Sequence, residues 1–176
     1  MYTCKSSTLT PLPADSLPFT LTAVNPSAPF NGKTIEASSE AFYIGRAPST
    51  YCPVPAIPAA ACAAGNTTVM YGSGLATTVP GGQEIYIQST GALAFTQAHS
   101  AATYNLSSYS TGPVYEGGAF FAPNGTGWTA CPVAGSQGVW QVFAKLAGLS
   151  FASDCVGFYA KVHDEPAGTV GAWQYV

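Results

Sequence analysis

The feature that most constrains this chain is the way glycine and proline divide it into short segments. The sequence holds 19 Gly and 14 Pro, which interrupt every stretch long enough to form a regular helix. Between them lie short runs rich in β-branched and aromatic residues. In "PFTLTAV" the apolar and polar positions alternate, with Phe19, Leu21 and Ala23 on one side and Thr20 and Thr22 on the other. This period of two is typical of a strand with one buried face.

Further strand-like runs follow along the chain. They are "AFYIG" (41–45), "TTVMYG" (67–72), "EIYIQS" (84–89), "ALAFTQ" (92–97), "GWTAC" (127–131), "GVWQVFAKL" (138–146), "CVGFYAKVH" (155–163) and "GAWQYV" (171–176). Many short β-rich runs between turn residues indicate an all-β fold rather than alternating βαβ units. We predict one domain of short antiparallel strands, a disulfide-stapled β-sandwich or distorted β-barrel of roughly ten strands. Residues 89–91 predict a tight hairpin, and "SSEAF" (38–42) is the one plausible helix start.

Two segments depart from this pattern, and we treat both as parts of a single domain, 1–176. Residues 1–17 contain prolines and little periodicity, which predicts an irregular arm. Residues 47–66, "APSTYCPVPAIPAAACAAGN", are rich in Pro and Ala. Because proline cannot donate a ladder hydrogen bond, we expect a long surface loop there.

Charge is sparse. Only 7% of residues are charged, against about 25% in ordinary soluble domains, and the net charge is -3 with five Lys and Arg. A nucleic-acid partner needs clustered cations, so we expect none. No window approaches the roughly 18 uninterrupted apolar residues of a membrane span. The opening "MYTCKSSTLT" lacks a basic and an apolar signal region, which suggests a mature form with its signal peptide removed and an initiator Met added, or a trimmed chain.

The cysteines and glycosylation patterns favour an exported protein. Three sites match the N-glycosylation acceptor pattern: Asn66, Asn105 and Asn124. Five cysteines in a chain with so little charge are more typical of an oxidising compartment than of the cytosol. Secretion is therefore the better interpretation.

The pairing of the five cysteines is left open by the spacing. A bridge between Cys52 and Cys62 would pin the 47–66 loop, with a stabilisation of roughly 3 kcal/mol on the chain-entropy model. Cys131 and Cys155 flank one strand and a turn, so a second bridge between them is feasible. Cys4 is then unpaired, paired across molecules, or matched with one of the others.

The stretch "SDCVGFYAKVHDE" (153–165) tests whether a cysteine could be a nucleophile. Alternation places Cys155 and His163 on one face, but eight residues apart, roughly 26 Å along an extended strand. They cannot form a nucleophile–base pair. A pair with His99 is possible in space, yet its flanks, "TQAHSAATYN", give it no support. A disulfide is therefore the favoured role for Cys155.

A pair of carboxylates is the second arrangement that could make this protein an enzyme. Glycoside hydrolysis requires two of them at a set separation. Glu116, in "VYEGGAFF", lies among aromatics and glycines that could raise its pKa, with Asp154 or Asp164 as partner. A solvated hairpin glutamate is the commoner outcome. Two histidines in unrelated places give no chelate spacing, so we predict neither a metal nor a cofactor.

Aromatic residues could bind sugar rings where they are exposed. The strand tryptophans are more typical of a core. The tyrosines in loops or near strand ends are the better candidates for ligand stacking: Tyr51, Tyr104, Tyr109 and Tyr115.

The C-terminal third carries a family resemblance. "ACPVAGSQGVWQVFAKLAGLSFASDCVGFYAKVHD" (130–164) resembles the fungal secreted cell-wall proteins of the PhiA type, a family that includes proteins described as IgE-binding allergens. The shared features are "ACP" and "DCVG" about two dozen residues apart, a Gly-x-Trp between them and the ending around Lys161, Val162 and Asp164. "IEASSEAFYIGRAPSTYC" and "GGQEIYIQSTGAL" extend the resemblance toward residue 19.

The resemblance implies export to the cell wall or the medium, a β-rich fold and no established catalytic machinery, and it strengthens a Cys131–Cys155 pairing. Two features differ from the family: the end, "GAWQYV", lacks the family's cysteine, and the stretch from Cys52 to Gly65 is particular to this chain. We therefore expect a secreted, glycosylated, non-enzymatic protein of the fungal cell wall or surface. The alternatives are a carbohydrate-binding module and a glycoside hydrolase-like enzyme, and self-association is a further possibility because sparse charge favours it.

Overall fold

A computed structural model describes residues 17–102, 114–116, 119–121 and 126–176. These residues contain fourteen strands and one short 3-10 turn at Ala59–Ala61. In chain order the strands are β1 (Phe19–Val24), β2 (Ile35–Ser38), β3 (Ala41–Ile44), β4 (Thr50–Tyr51), β5 (Met70–Tyr71), β6 (Gly74–Leu75), β7 (Ile85–Ile87), β8 (Leu93–Phe95), β9 (Val114–Glu116), β10 (Ala119–Phe121), β11 (Trp128–Pro132), β12 (Trp140–Ala144), β13 (Val156–Asp164) and β14 (Gln174–Tyr175).

Twelve of the strands form one antiparallel sheet. Its main path runs β6-β5-β1-β13-β11-β12-β3-β8-β7, with β2 beside β3, β10 beside β13 and β9 beside β10. The remaining two strands, β4 and β14, form a separate two-stranded sheet.

β13 is the longest strand, and it lies in the middle of the large sheet. Its second half pairs with all of β1, from Phe19 opposite Asp164 to Val24 opposite Tyr159. Its first half pairs with β11. The predicted alternation is present, because Phe158, Ala160 and Val162 are buried while the residues between them face outward.

The two ends of the strand path approach each other. Gly74 of β6 forms an isolated bridge with Glu84, which precedes β7. Two backbone hydrogen bonds hold this contact, from Leu75 N to Gln83 O at 2.9 Å and from Ile85 N to Ser73 O at 3.0 Å. The ladder does not continue beyond them, so the described strands do not make a closed barrel.

One cluster of apolar side chains forms the core. It takes residues from strands along the whole path, including Phe19, Phe42, Leu75, Ile87 and Trp128, and also Tyr175 of β14. Because strands far apart in the path contribute to the same cluster, the sheet curves around it. The Trp128 ring stacks on Phe120 at 5.5 Å between ring centroids, and its Nε1 donates to Phe120 O at 2.6 Å.

The all-β, antiparallel and disulfide-stapled character of the prediction is confirmed. The prediction of roughly ten strands was too low, since β4, β5, β6 and β14 have two residues each, too few to show a period of two. "SSEAF" is not a helix start: Ser38 pairs with Ala41 across a two-residue turn. Residues 47–66 are mostly irregular but include β4 and the 3-10 turn. The assignment of 1–176 to one domain stays a prediction. Of the predicted arm, 1–17, only Leu17 lies within the described residues.

Candidate functional site

The cysteines of both expected bridges are bonded in the structure. Cys52 and Cys62 form a disulfide across the Pro/Ala-rich segment, with Cα atoms 6.1 Å apart. Cys131 and Cys155 form the second, with Cα atoms 4.2 Å apart. The second bridge follows directly on the pairing of Ala130 with Val156, so it joins neighbouring strands of the large sheet. Cys4 lies outside the described residues.

The other sequence-predicted sites are dispersed rather than gathered. Asn66 is exposed, as glycosylation requires, and its modification stays a prediction. Tyr51 is 52% exposed. Tyr115 lies in β9, where the structure describes only its backbone. The remaining candidates lie outside the described residues: Asn105, Asn124, Tyr104 and Tyr109.

The candidate carboxylates are also spread along the sheet. Asp154 and Asp164 lie at opposite ends of β13. Glu116 is in β9, opposite Ala119, which in turn pairs with Lys161. Asp154 is therefore roughly 20 Å from that position along the strand direction, well beyond the carboxylate separations of glycosidases. A pairing of Glu116 with Asp164 stays a prediction.

Sequence reasoning missed a polar cavity formed by two turns. The first turn joins β2 to β3 through Ser39 and Glu40, whose φ angles are 53° and 58°. Two positive φ angles between directly paired strands define a type I′ turn, which normally takes Asn-Gly or Gly-Gly. Ser39 N donates to Val176 O at 2.8 Å, and Glu40 O accepts from Phe95 N at 3.2 Å. The turn is therefore fixed on both sides.

The second turn follows β8 and contains His99. Ser100 N donates to Gln97 O at 3.2 Å, which closes a four-residue turn. His99 has a φ of 63°, at the third position of that turn, where glycine is the usual residue when φ is positive. Within the described part of the chain, Ser39, Glu40 and His99 are the non-glycine residues with positive φ. All three line one cavity of about 320 Å³, which we call the turn pocket.

Most residues that line the turn pocket carry hydrogen-bonding side chains, and Ala98 and Val176 are the apolar ones. The Gln97 amide donates from Nε2 to Glu40 Oε1 at 2.6 Å, which links the two turns and orients the carboxylate. His99 and Gln174 also line the cavity. A carboxylate, two amides and an imidazole in one concave site can donate to and accept from a polar ligand.

Tyr51 stands beside the turn pocket. In the β4–β14 sheet, Tyr51 lies directly opposite Gln174. Side chains of directly opposed residues project from the same face, with Cβ atoms about 5 Å apart. An exposed aromatic ring is thus adjacent to the polar cavity. The Cys52–Cys62 bridge begins at the next residue and holds the strand that carries this ring.

Buried polar groups hold β14 in place behind the pocket. Gln83 is 3% exposed, and its side-chain amide pairs with the backbone of Tyr175: Nε2 donates to Tyr175 O at 2.9 Å and Oε1 accepts from Tyr175 N at 2.8 Å. The Tyr175 hydroxyl donates to Thr67 O at 2.8 Å and accepts from Val69 N at 3.0 Å. The pocket is therefore built on a rigid support.

The environment of Tyr175 also changes its acidity. Burial raises the pKa of the Tyr175 phenol to about 12, the backbone N–H of Val69 lowers it, and the nearby Glu36 carboxylate raises it. Glu36 is itself buried and accepts from Thr68 N at 2.7 Å. Tyr175 is therefore a neutral structural group at physiological pH.

The sequence contained one signal for this site. "SSE" between two strand-like runs has the length of a tight hairpin, but it lacks the Asn and Gly that mark a type I′ turn. Gln97, His99 and Gln174 gave no signal because their proximity depends on long-range pairing. In the ranges that the structure describes, no group of three or more His, Cys, Asp or Glu side chains is placed to hold a metal ion.

Among the described residues, no helical segment has the length and apolar character of a membrane span.

Comparison with known proteins shows where the chain belongs. The family of PhiA-like secreted proteins matches residues 19–176. A relative from Arthroderma benhamiae, named "Uncharacterized secreted protein", is 37% identical over 153 residues, which cover 80% of this chain and 76% of the relative. No solved structure matches the chain. The predicted family and the predicted export are thereby confirmed: the chain belongs to the PhiA-like secreted proteins.

Proposed function

We propose that this protein is a non-enzymatic component of the fungal cell wall or its surface, and that it acts by contact with wall polysaccharide. The secreted family supports the extracellular part of this proposal. The low charge supports the rest, because 7% charged residues suit a neutral, hydroxyl-rich partner better than an ionic one.

The observation that carries the proposal is the half-exposed ring of Tyr51 beside a disulfide bridge. Tyr51 is 52% exposed, and the next residue, Cys52, is bonded to Cys62. A tyrosine ring offers an apolar face and a polar tip, which match the C–H faces and hydroxyl groups of a sugar ring. Tyr51 lies in β4, so its backbone is already ordered before contact and little entropy is lost on binding.

A sedimentation assay tests the contact. Native protein is mixed with insoluble chitin, β-glucan and washed cell walls, and the bound fraction is measured after centrifugation. We expect the wild type to sediment with at least one polysaccharide, and the variant Tyr51→Ala to stay largely in solution. Urea unfolding of the variant serves as the folding control. Wild-type protein that remains in the supernatant with every polysaccharide contradicts the proposal.

The non-enzymatic part has its own test. Incubation with the same polysaccharides should release no reducing ends above background. Release that disappears in Glu116→Gln would establish the hydrolase alternative, with Asp164→Asn as the second variant. Sedimentation velocity over a concentration series separates polysaccharide contact from the self-association alternative, which predicts a mass that rises with concentration.

A further inference from the structure

We propose that the turn pocket and Tyr51 bind a short stretch of an uncharged polysaccharide, with one sugar unit in the pocket and its neighbour packed on the Tyr51 ring. The inference rests on the proposed function, since it assigns a place and a ligand chemistry to polysaccharide contact. It names Glu40, Gln97 and His99 as the groups that hydrogen-bond the sugar hydroxyls.

Backbone strain is concentrated at this cavity. Ser39, Glu40 and His99 have φ angles of 53°, 58° and 63°, a region that favours glycine. Eleven glycines occupy such angles elsewhere in the described chain, so glycine is the usual solution in this fold. At the turn pocket, side chains stand where glycine would be easier to accommodate. Strain retained at one cavity indicates that the side chains themselves serve a purpose there.

The residues that line the cavity can form hydrogen bonds with sugar hydroxyls. Glu40 accepts hydrogen bonds, Gln97 and Gln174 both donate and accept, and His99 does either according to its tautomer. The Gln97–Glu40 hydrogen bond of 2.6 Å fixes two of these groups before a ligand arrives. Neither Lys nor Arg is among the described residues that line the cavity. An acidic sugar would meet the Glu40 carboxylate without a compensating cation, which excludes acidic polysaccharides, and the mixed donors and acceptors of the lining suit the hydroxyl groups of a neutral one.

Tyr51 lies next to the pocket. It lies opposite Gln174 in the β4–β14 pair, and Gln174 lines the pocket. Polar cavity and exposed ring are therefore neighbours, as a chain of linked sugar rings requires. Tyr71 instead lines an apolar cavity with Leu17 and Val170, and Tyr159 lies on β13 opposite Val24. These two tyrosines provide matched controls.

The test compares pocket variants with control variants of the same residue type. Binding is measured by sedimentation with chitin, β-glucan and mannan, which separates wall polysaccharides from the mannose-type glycans of other glycoproteins. The pocket variants are Tyr51→Ala, Glu40→Gln, Glu40→Gly and His99→Gly, and the controls are Tyr71→Ala and Tyr159→Ala. Thermal unfolding of each variant is recorded in parallel, with Gln137→Gly as the reference for glycine in an exposed turn without positive φ.

We expect each pocket variant to weaken binding by about tenfold, as the loss of one charge-assisted hydrogen bond or one stacked ring predicts. The controls should bind within about twofold of the wild type. Glu40→Gly and His99→Gly should keep or raise Tm, by up to about 4 °C, while Gln137→Gly lowers it. Weaker binding with an unchanged or higher Tm supports a ligand role, because a purely structural role would lower both.

Two results would overturn the inference, and they are distinguishable. If the wild type binds and the pocket variants bind equally well, polysaccharide contact stands but occurs elsewhere. If the wild type binds none of the three polysaccharides, the proposed function and the site both fail.

Discussion

The sheet around β13 and the β4–β14 pair hold their strands in two different ways. β13 has nine residues, neighbours along both edges and a buried apolar face. β4 and β14 have two residues each and only two residue pairs between them. The small sheet depends instead on the Gln83 amide, the Tyr175 hydroxyl and the Cys52–Cys62 bridge. Where a ladder is too short to be stable, buried polar groups and a disulfide take its place.

The difference matters because the candidate site lies where the two sheets meet. Tyr51 and Gln174 lie on the small sheet, and Val176, the residue after it, accepts a hydrogen bond from Ser39 N. Glu40, Gln97 and His99 lie in turns next to strands of the large sheet. The large sheet supplies most of the core, while the small sheet contributes Tyr175 to the core and Tyr51 to the candidate site. Variants in the two regions should therefore separate loss of folding from loss of binding.

The largest effect is expected in the large sheet. Trp128→Ala removes a ring that is 2% exposed and leaves Phe120 O without its hydrogen bond. We expect a loss of about 3–5 kcal/mol in the free energy of unfolding, measured by urea titration. Trp128→Phe, which keeps most of the volume, should lose less than half of that. Equal losses in the two variants would mean that the hydrogen bond, and not packing, dominates.

The next largest loss of stability is expected in the small sheet. Gln83→Met keeps the length of the side chain but leaves Tyr175 N, Tyr175 O and Thr96 O without the amide. We expect a loss of about 3 kcal/mol, because buried groups without partners each cost about 1–3 kcal/mol. Urea titration measures the loss, and hydrogen exchange at Tyr175 N locates it. Unchanged exchange there would show that β14 does not depend on Gln83.

The two disulfides provide the sharpest contrast. On the chain-entropy model each contributes roughly 3 kcal/mol, somewhat more for the longer Cys131–Cys155 loop. Replacing either pair by alanine should thus lower stability by similar amounts, as urea titration would show. Binding to polysaccharide should fall only when Cys52 and Cys62 are replaced, since that bridge fixes the strand of Tyr51. Equal binding losses in both double variants would contradict the division between the sheets.

The smallest effect appears only in alkali. The pKa of Tyr175 is about 12 in the folded protein against about 10 in an unfolded chain. Between these values the unfolded state releases a proton that the folded state retains, so stability is complete below pH 10 and falls as the pH rises toward 12. The expected loss is about 2–3 kcal/mol. Tyr175→Phe should lack this step, so the difference between the two pH profiles of unfolding isolates Tyr175. Parallel profiles would contradict the assignment.

The sequence predicted the features that depend on residues close together in the chain. Alternation in "CVGFYAKVH" and "PFTLTAV" identified β13 and β1 with their buried faces, and the ten-residue spacing of Cys52 and Cys62 suggested the bridge across the loop. The order of the strands depends on pairings between distant segments, such as β1 with β13, for which the chain carries no local pattern. The turn pocket was missed for the same reason. Its strained residues are ordinary in type and become unusual only through their φ angles.

The contact between Gly74 and Glu84 has a consequence for how copies of this protein meet at high concentration. Open sheet edges invite strands from other molecules, and many proteins deter them with charged side chains. A chain with 7% charged residues has little such protection. By bringing the two ends of its longest strand path together, the fold occupies backbone groups that a second copy would otherwise use. Association between copies would then have to use surfaces other than these two strand ends.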